Sequence, residues 1–304
     1  MNEVLIEAKG ITKVYQGGGY FSRRHYITAL KGADFSLEES EIAGLAGESS
    51  CGKTTLAKII AGIEKPTEGE VRYASHLKLP PDIQMVFQDP FSSLSPNYRT
   101  GDLLKEVLSL RYPQAEVKKK AYVLLQEVGL GKEIFNRFPH QLSGGQIQRV
   151  ALARALAVEA KVIVADEPTS SLDVITAAAV RGLILDLRKK KKLSFIVISH
   201  NLLMLGALAD KISVIYRGRI VEVSPASRLI KEPLHPYSRL LVQCARREAV
   251  PEKAGREDSG PEGCVFRTRC PYQETLCRTS PPLFRRSGRQ VACWLYKDWS
   301  KNEE

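Results

Sequence analysis

No apolar run in this 304-residue chain approaches the about 20 residues that a membrane span needs, so a role at a membrane would have to come through partners. The first ten residues carry Glu3, Glu7 and Lys9 and no apolar leader stretch, which predicts a chain kept in the cytoplasm. Cysteine is scarce, with six residues and no C-x2-C pair; zinc knuckles are thereby disfavoured, and disulfides are not expected in that compartment. Acidic residues are short of basic ones, 34 against 45, leaving a net charge of +11. Much of the excess lies in Arg188–Lys192 and in 267–289. Neither stretch is interleaved with aromatics for base stacking, so no nucleic-acid partner is expected, and Arg188–Lys192 reads as a solvated helix end whose cations suit the helix dipole. A second nucleotide motif and a long coiled-coil insertion are also missing. What remains, at 43% hydrophobic and 26% charged, is an ordinary globular composition long enough for one large α/β domain with an appendage.

The chain is organised around Gly47-Glu48-Ser49-Ser50-Cys51-Gly52-Lys53-Thr54, which fits G-x-x-x-x-G-K-[ST]. Ile42 to Ala46 before it is an apolar run of strand type. Lys53 to Ala61 after it is helical, with Leu56, Ile59 and Ile60 on one side. Strand, Gly-rich loop and helix together aim backbone N–H groups at phosphate oxygens, whereas a chance Gly/Ser turn would lack both flanks. Lys53 is expected to reach the β- and γ-phosphates and the Thr54 hydroxyl to ligate Mg²⁺.

Residues 4–14 and 27–46 read as strands, separated by a Gly-rich loop over 16–24. Tyr15, just before that loop, reads either as a half-buried strand residue or as a platform for adenine. Glu64 to Gly69 is read as a turn, Ile83 to Phe87 as a strand running into Gln88, and about 100–135 as a helical insertion. Ser143-Gly144-Gly145-Gln146 stands directly before a helix, an arrangement that alone is commonly only a capped turn. Lys161 to Glu167 is an unbroken apolar run ending in Asp166 and Glu167, as expected of a strand covered on both faces with active residues at its carboxyl end. Asp166 suits a Mg²⁺-associated carboxylate, and Glu167 a general base. Ser170 to Asp173 opens a helix. Ser194 to Ser199 is a further buried strand ending at His200, and Val214–Tyr216 with Ile220–Val223 form a hairpin.

In this order the features resemble the Walker A, Q-loop, signature, Walker B, D-loop and H-switch of ABC transporter ATPase subunits: Gly47–Thr54, Gln88, Leu142–Gln146, Val162–Glu167, Ser171–Asp173 and His200. The resemblance covers about residues 5–225. His235-Pro236-Tyr237 and the tail beyond resemble the C-terminal extension of oligopeptide, dipeptide and nickel importer ATPases.

The resemblance implies a P-loop NTPase of α/β class, with a RecA-like core, an antiparallel β subdomain and a helical subdomain near 89–152. Residues 1–233 would form the nucleotide-binding domain and 234–304 the extension. It further implies ATP and Mg²⁺ as cofactors. Tyr15, Gly47, Ser49, Ser50, Cys51, Gly52, Lys53, Thr54 and Thr55 would bind nucleotide. Gln88 and His200 would sense the γ-phosphate, with Thr54, Gln88 and Asp166 on the metal; Ser143, Gly144, Gly145, Gln146 and Asp173 would also bind nucleotide, Ser143 and Gly145 contacting the one held by a second ATPase subunit.

Two transmembrane permeases and, indirectly, an extracytoplasmic binding protein would be partners, with this chain peripheral on the cytoplasmic face of the membrane. Peptide is the expected cargo, with nickel or a metal chelate as alternative. A soluble ABC-type ATPase acting on nucleic acid or ribosomes and a redox-sensing regulatory ATPase are readings of other classes. Two departures from the family pattern stand out, Ser50 for a frequent Gly and Asn201 for a common Asp.

The tail holds Cys264, Cys270, Cys277 and Cys293 as C-x5-C-x6-C-x15-C. Similarity to tails of some relatives implies a [4Fe–4S] cluster; zinc, or four reduced cysteines in a small lobe, are the alternatives. Arg267, Arg269, Arg278, Arg285 and Arg286 would favour thiolates there.

Overall fold

The computed structural model describes residues 3–17, 25–246, 248 and 263–301, so most of the Gly-rich loop expected over 16–24 lies outside the described residues. In chain order the regular elements are β1 (Val4–Gly17), β2 (His25–Glu38), β3 (Ile42–Ala46), α1 (Lys53–Ile60), β4 (Glu68–Tyr73) and β5 (Ile83–Val86), then α2 (Pro90–Ser93), α3 (Thr100–Leu108), α4 (Gln114–Glu127) and α5 (Gly144–Ala157). They continue through β6 (Val162–Asp166), α6 (Val174–Lys191), β7 (Ser194–Ser199), α7 (Leu202–Leu208), β8 (Lys211–Tyr216), β9 (Arg219–Pro225), α8 (Ala226–Lys231), α9 (Pro236–Ala245), β10 (Phe284–Arg286) and β11 (Arg289–Val291). None of the described helices is long and apolar enough to cross a membrane.

Two expectations are corrected. The strand expected over 27–46 is two strands, because the chain turns between them with Ser40 at φ +56°. The turn read over Glu64 to Gly69 ends two residues earlier, because β4 starts at Glu68; its residues Glu-Gly-Glu-Val-Arg-Tyr are largely exposed and carry no apolar alternation. Its strand character comes from pairing: β4 lies antiparallel to β1, from Ile6 opposite Tyr73 to Thr12 opposite Glu68. The register breaks between Lys9 and Thr12. Gly10 sits in that break at φ +61°, the place where a bulge favours a residue without Cβ.

The chain divides into two compact units. One is built mainly from Ala74–Val197. In it β5 runs parallel to β6, and the neighbouring strands follow in the order β7-β6-β5. The expected helical insertion is present as α3 and α4, with Leu103, Leu104 and Leu108 buried on one helix and Val117, Ala121 and Leu125 on the other. Phe135 stacks on Tyr122 at 4.5 Å between ring centroids. Gly101 lets α3 lie directly on the Phe135 ring, where an added Cβ would sit 2.5 Å from an aromatic carbon. At the far end of α6, Lys189 to Lys192 are exposed at a helix C-terminus, as expected of a solvated basic end.

The other unit comprises Ile6–Leu37, Ile42–Tyr73 and the described residues from Ile198 onward. β1 lies between β2 and β4 in a three-stranded sheet. A second set of strands runs β10-β11-β9-β8-β3, with β3 parallel to β8 and the rest antiparallel. All five residues of β3 are buried, which explains the unbroken apolar run Ile-Ala-Gly-Leu-Ala. The C-terminal hairpin β10–β11 extends this sheet through Gln290 opposite Val223 and Val291 opposite Glu222. Behind it Leu234, Phe284, Val291 and Cys293 form a small core covered by Trp294, Tyr296 and Trp299.

Candidate active site

β3 delivers the chain directly into the phosphate-loop motif. Gly47 stands at φ +153°, and a Cβ there would lie 2.3 Å from the Ile215 carbonyl oxygen and 2.7 Å from Cys51 Sγ, so only glycine fits the turn. Ser50 adopts φ +61°, a left-handed conformation, at the position where the family frequently places Gly. Gly52, at φ +109°, precedes α1, whose first turn has no acidic residue and no side-chain cap. The helix therefore presents backbone N–H groups to an anion.

Lys53 is buried, 7% exposed, and its ammonium donates to the carbonyls of Gly47 at 2.9 Å and Glu48 at 2.7 Å. Thr54 and Thr55 follow on the first turn, both partly exposed. Tyr15 reaches this helix from β1: its hydroxyl donates to Glu64 Oε2 at 2.6 Å and lies 3.5 Å from Thr55 Oγ1. Lys13 Nζ sits 5.1 Å from its ring centroid. Tyr15 is thus a half-buried strand residue tethered beside the phosphate loop. Cys51 is buried, and burial raises its thiol pKa even with Lys53 beside it. In the same unit His200 is exposed just after β7. Asn201 beside it caps α7, its side-chain oxygen accepting from Met204 N at 3.0 Å, a service that Asn gives as well as Asp.

The remaining candidates belong to the other unit. β6 is buried throughout and ends at Asp166, 3% exposed, with Glu167 next at φ +49°. The Glu167 carbonyl accepts from Ser170 N at 3.3 Å and Ser170 Oγ at 3.1 Å, which fixes the turn after the strand. Gln88 is exposed two residues past β5. At the start of α5, Ser143 Oγ accepts from Gln146 N at 3.4 Å, and Gln146 Oε1 accepts from Ser143 N at 3.0 Å, a reciprocal capping box. Gly144 is the first helical residue. Gly145 is buried against α6, where a Cβ would meet Thr176 Cγ2 at 2.1 Å. Asp173 caps α6, with Oδ1 accepting from Ile175 N and Thr176 N at 3.0 Å and Oδ2 from Thr176 Oγ1 at 2.6 Å. The Thr176 hydroxyl, followed by the backbone donors, holds its carboxyl pKa below the usual range. The signature stretch and Asp173 are thereby brought onto adjoining helices.

The tail cysteines converge. Cys264, Cys270, Cys277 and Cys293 all line one cavity of about 10 Å³, and Cys264 N donates to the Cys277 carbonyl at 3.0 Å. That volume is at most about one water. All six cysteines are free thiols. Burial pushes the Cys270 thiol up to about 11, outweighing the nearby Arg239 cation, and the Cys293 thiol up to about 12. Among the described residues no three His, Cys, Asp or Glu side chains are placed to hold a metal ion, and the [4Fe–4S] expectation gains no support there. Arg269, one of the arginines expected to favour thiolates, pairs with Glu48 of the phosphate loop at 3.1 Å. Glu48, Tyr237 and Arg269 are the site residues that the sequence reading missed. Only the proximity of Glu48 to Lys53 in the motif offered a signal.

The family described as ABC transporter matches residues 30–170, and the oligopeptide/dipeptide transporter C-terminal region matches 221–277. The chain is 39% identical to the di/tripeptide transport ATP-binding protein DppF of Pseudomonas aeruginosa, over 96% of this chain and 97% of that protein. The chain belongs to the ABC transporter ATP-binding proteins. It is also 36% identical to the dipeptide transport ATP-binding protein DppF of Escherichia coli, over 100% of this chain and 98% of the relative. Among solved structures it is similar to an ATP-binding cassette caught as a dimer in a post-hydrolysis state with ADP and Pi. The TM-score is 0.64 at 29% identity, covering 73% of this chain and 99% of that one. The fold is that of an ABC ATPase, an α/β P-loop NTPase with a mixed sheet, and the chain is an ATP-hydrolysing subunit for which ATP and Mg²⁺ are the expected cofactors.

Proposed function

We propose that this ATPase powers the import of di- or oligopeptides through an ABC transporter. The observation that carries the reading is similarity along nearly the whole chain, including the C-terminal region, to proteins named for dipeptide and oligopeptide transport. Nickel and metal-chelate import, and a soluble ATPase acting on nucleic acid, have no comparable support. Residues 1–233 would be the nucleotide-binding domain, with a helical subdomain near 89–152, and 234–304 the extension. Two permeases, a second ATPase subunit and, indirectly, an extracytoplasmic peptide-binding protein complete the machine, with this chain on the cytoplasmic face of the membrane.

In this reading the P-loop amides and Lys53 hold the phosphates, and Tyr15 lies against the adenine. The Thr54 hydroxyl, the Gln88 amide and the buried Asp166 carboxylate are each hard oxygen donors of the kind Mg²⁺ takes and would hold it, and the bound ion would neutralise phosphate charge. Glu167 takes the proton of the attacking water, and His200 and Gln88 respond to the γ-phosphate. Ser143 and Gly145 contact the nucleotide of the second subunit, so hydrolysis needs closure of the pair.

Affinity purification of the tagged chain from detergent-solubilised membranes, with ATP present, tests the assignment. Recovery of two multispanning permeases and a second ATPase is expected. Recovery of the chain alone, or with nucleic acid, overturns it. Whether the four thiols that line one small cavity hold a cluster is a separate test. Iron and acid-labile sulfide on anaerobically purified protein decide it: about four of each per chain establish a [4Fe–4S] cluster, and none leaves the thiols as the core of the lobe.

A further inference from the structure

Glu48 is the second residue of the phosphate loop and is exposed, yet it is held from three directions. Its backbone N–H donates to the Tyr237 hydroxyl at 2.9 Å. Its carboxylate receives Arg269 Nη1 at 3.1 Å and 3.2 Å on its two oxygens. Its carbonyl accepts from the Lys53 ammonium at 2.7 Å. The first two partners lie 189 and 221 residues away in sequence, on α9 and in the cysteine-bearing lobe.

Both partners are rigidly mounted. Tyr237 is fully buried, its ring 4.5 Å from Tyr216 and 5.5 Å from Phe266. The helix carrying it is capped by His235, a buried imidazole whose Nδ1 accepts from Tyr237 N at 3.0 Å. The Arg269 guanidinium sits 5.7 Å from the ring centroids of both Tyr216 and Phe266, and also donates to the Tyr216 hydroxyl at 3.4 Å. Arg269 directly precedes Cys270, so its backbone is set by the packing of the lobe.

We propose that Tyr237 and Arg269 are positioning residues for ATP: through Glu48 they hold the start of the phosphate loop, so that Lys53 is aimed at the phosphates and the Glu48 carboxylate is neutralised beside them. The proposal rests on reading Gly47–Thr54 as the ATP phosphate loop. Losing the Tyr237 hydroxyl frees the Glu48 backbone that orients Lys53, and losing Arg269 leaves an unpaired anion next to a polyanionic ligand. Both effects weaken binding, while neither touches the carboxylate that activates water.

Equilibrium MgATP binding and steady-state hydrolysis on the full chain test this. With the ion pair partly exposed, Arg269→Ala is expected to raise the Kd and KM for ATP about three- to tenfold while kcat stays within about twofold. Arg269→Lys restores most of the loss, and Tyr237→Phe, which keeps the ring but removes the acceptor, raises the Kd about two- to threefold. On a Glu48→Gln background Arg269→Ala adds less than about 1.5-fold, because the charge it neutralises is gone. An Arg269→Ala effect equal in both backgrounds, or a fall in kcat without a change in KM, overturns the proposal in favour of a merely structural lobe. So does an unchanged Kd for Arg269→Ala alongside lost binding in Lys53→Met. Wild-type binding by Lys53→Met is a separate failure, that of the phosphate-loop reading itself.

Discussion

Glu167→Gln is expected to lower ATP turnover by about 10²- to 10³-fold while MgATP still binds, the range for removing a positioned general base. The substitution keeps the length and planar shape of the side chain but replaces one carboxylate oxygen with an amide NH2, so the charge and the capacity to accept a proton are lost. Geometry favours so specific a loss. Glu167 follows the fully buried strand β6, its backbone is held at φ +49°, and Ser170 clasps its carbonyl through both N–H and hydroxyl. These contacts are made by the backbone of Glu167 and do not depend on the charge of its side chain. Phosphate release at saturating ATP, beside equilibrium binding of ATP to the same preparation, separates the two quantities. Hydrolysis at the wild-type rate would remove Glu167 from the role of base, and loss of binding together with turnover would point to damage to the loop.

Arg289→Met is expected to destabilise the unit carrying the phosphate loop by about 3 kcal/mol, within the range for stranding one member of a buried ion pair. Glu222 is 0% exposed and takes donors from Leu234 N at 3.0 Å, His235 N at 2.8 Å, Ser224 Oγ at 3.0 Å and Arg289 Nη2 at 3.4 Å. Arg289 also donates to Ser224 Oγ at 3.1 Å and to the Glu232 carbonyl. Without the guanidinium the carboxylate stays buried on two backbone N–H groups and a hydroxyl, which place the loss near the lower end of the range. Denaturant midpoints and thermal transitions read the change directly. The double variant Glu222→Gln with Arg289→Met should be less destabilised than the single Arg289→Met, since no buried charge is left unpaired. A loss under about 0.5 kcal/mol for Arg289→Met would show the pair to be dispensable. Because Glu222 anchors the chain just ahead of α9, this variant is also expected to weaken the hold of Tyr237 on Glu48.

The strand–loop–helix around Lys53, the buried strand ending at Asp166 and the capped starts of α5 and α6 were legible in the sequence. Each is written by neighbours: apolar runs set buried strands, glycines permit the turn that Gly47 makes, and Ser143 or Asp173 bond to N–H groups two or three residues on. The order of those motifs sufficed for the class of protein and for its nucleotide chemistry. Other features were not written locally. β4 is a polar, exposed edge whose strand character comes from β1, and the split between β2 and β3 shows only in the turn at Ser40. The lobe's place on β9 and the grip of Tyr237 and Arg269 on Glu48 join residues up to 221 apart in sequence. The same holds for Arg269 turning toward Glu48 rather than toward the cysteines. A short-range pattern fixes which backbone conformation each segment prefers. Which distant charge a side chain meets depends on how the segments pack, and only the tertiary structure decides that.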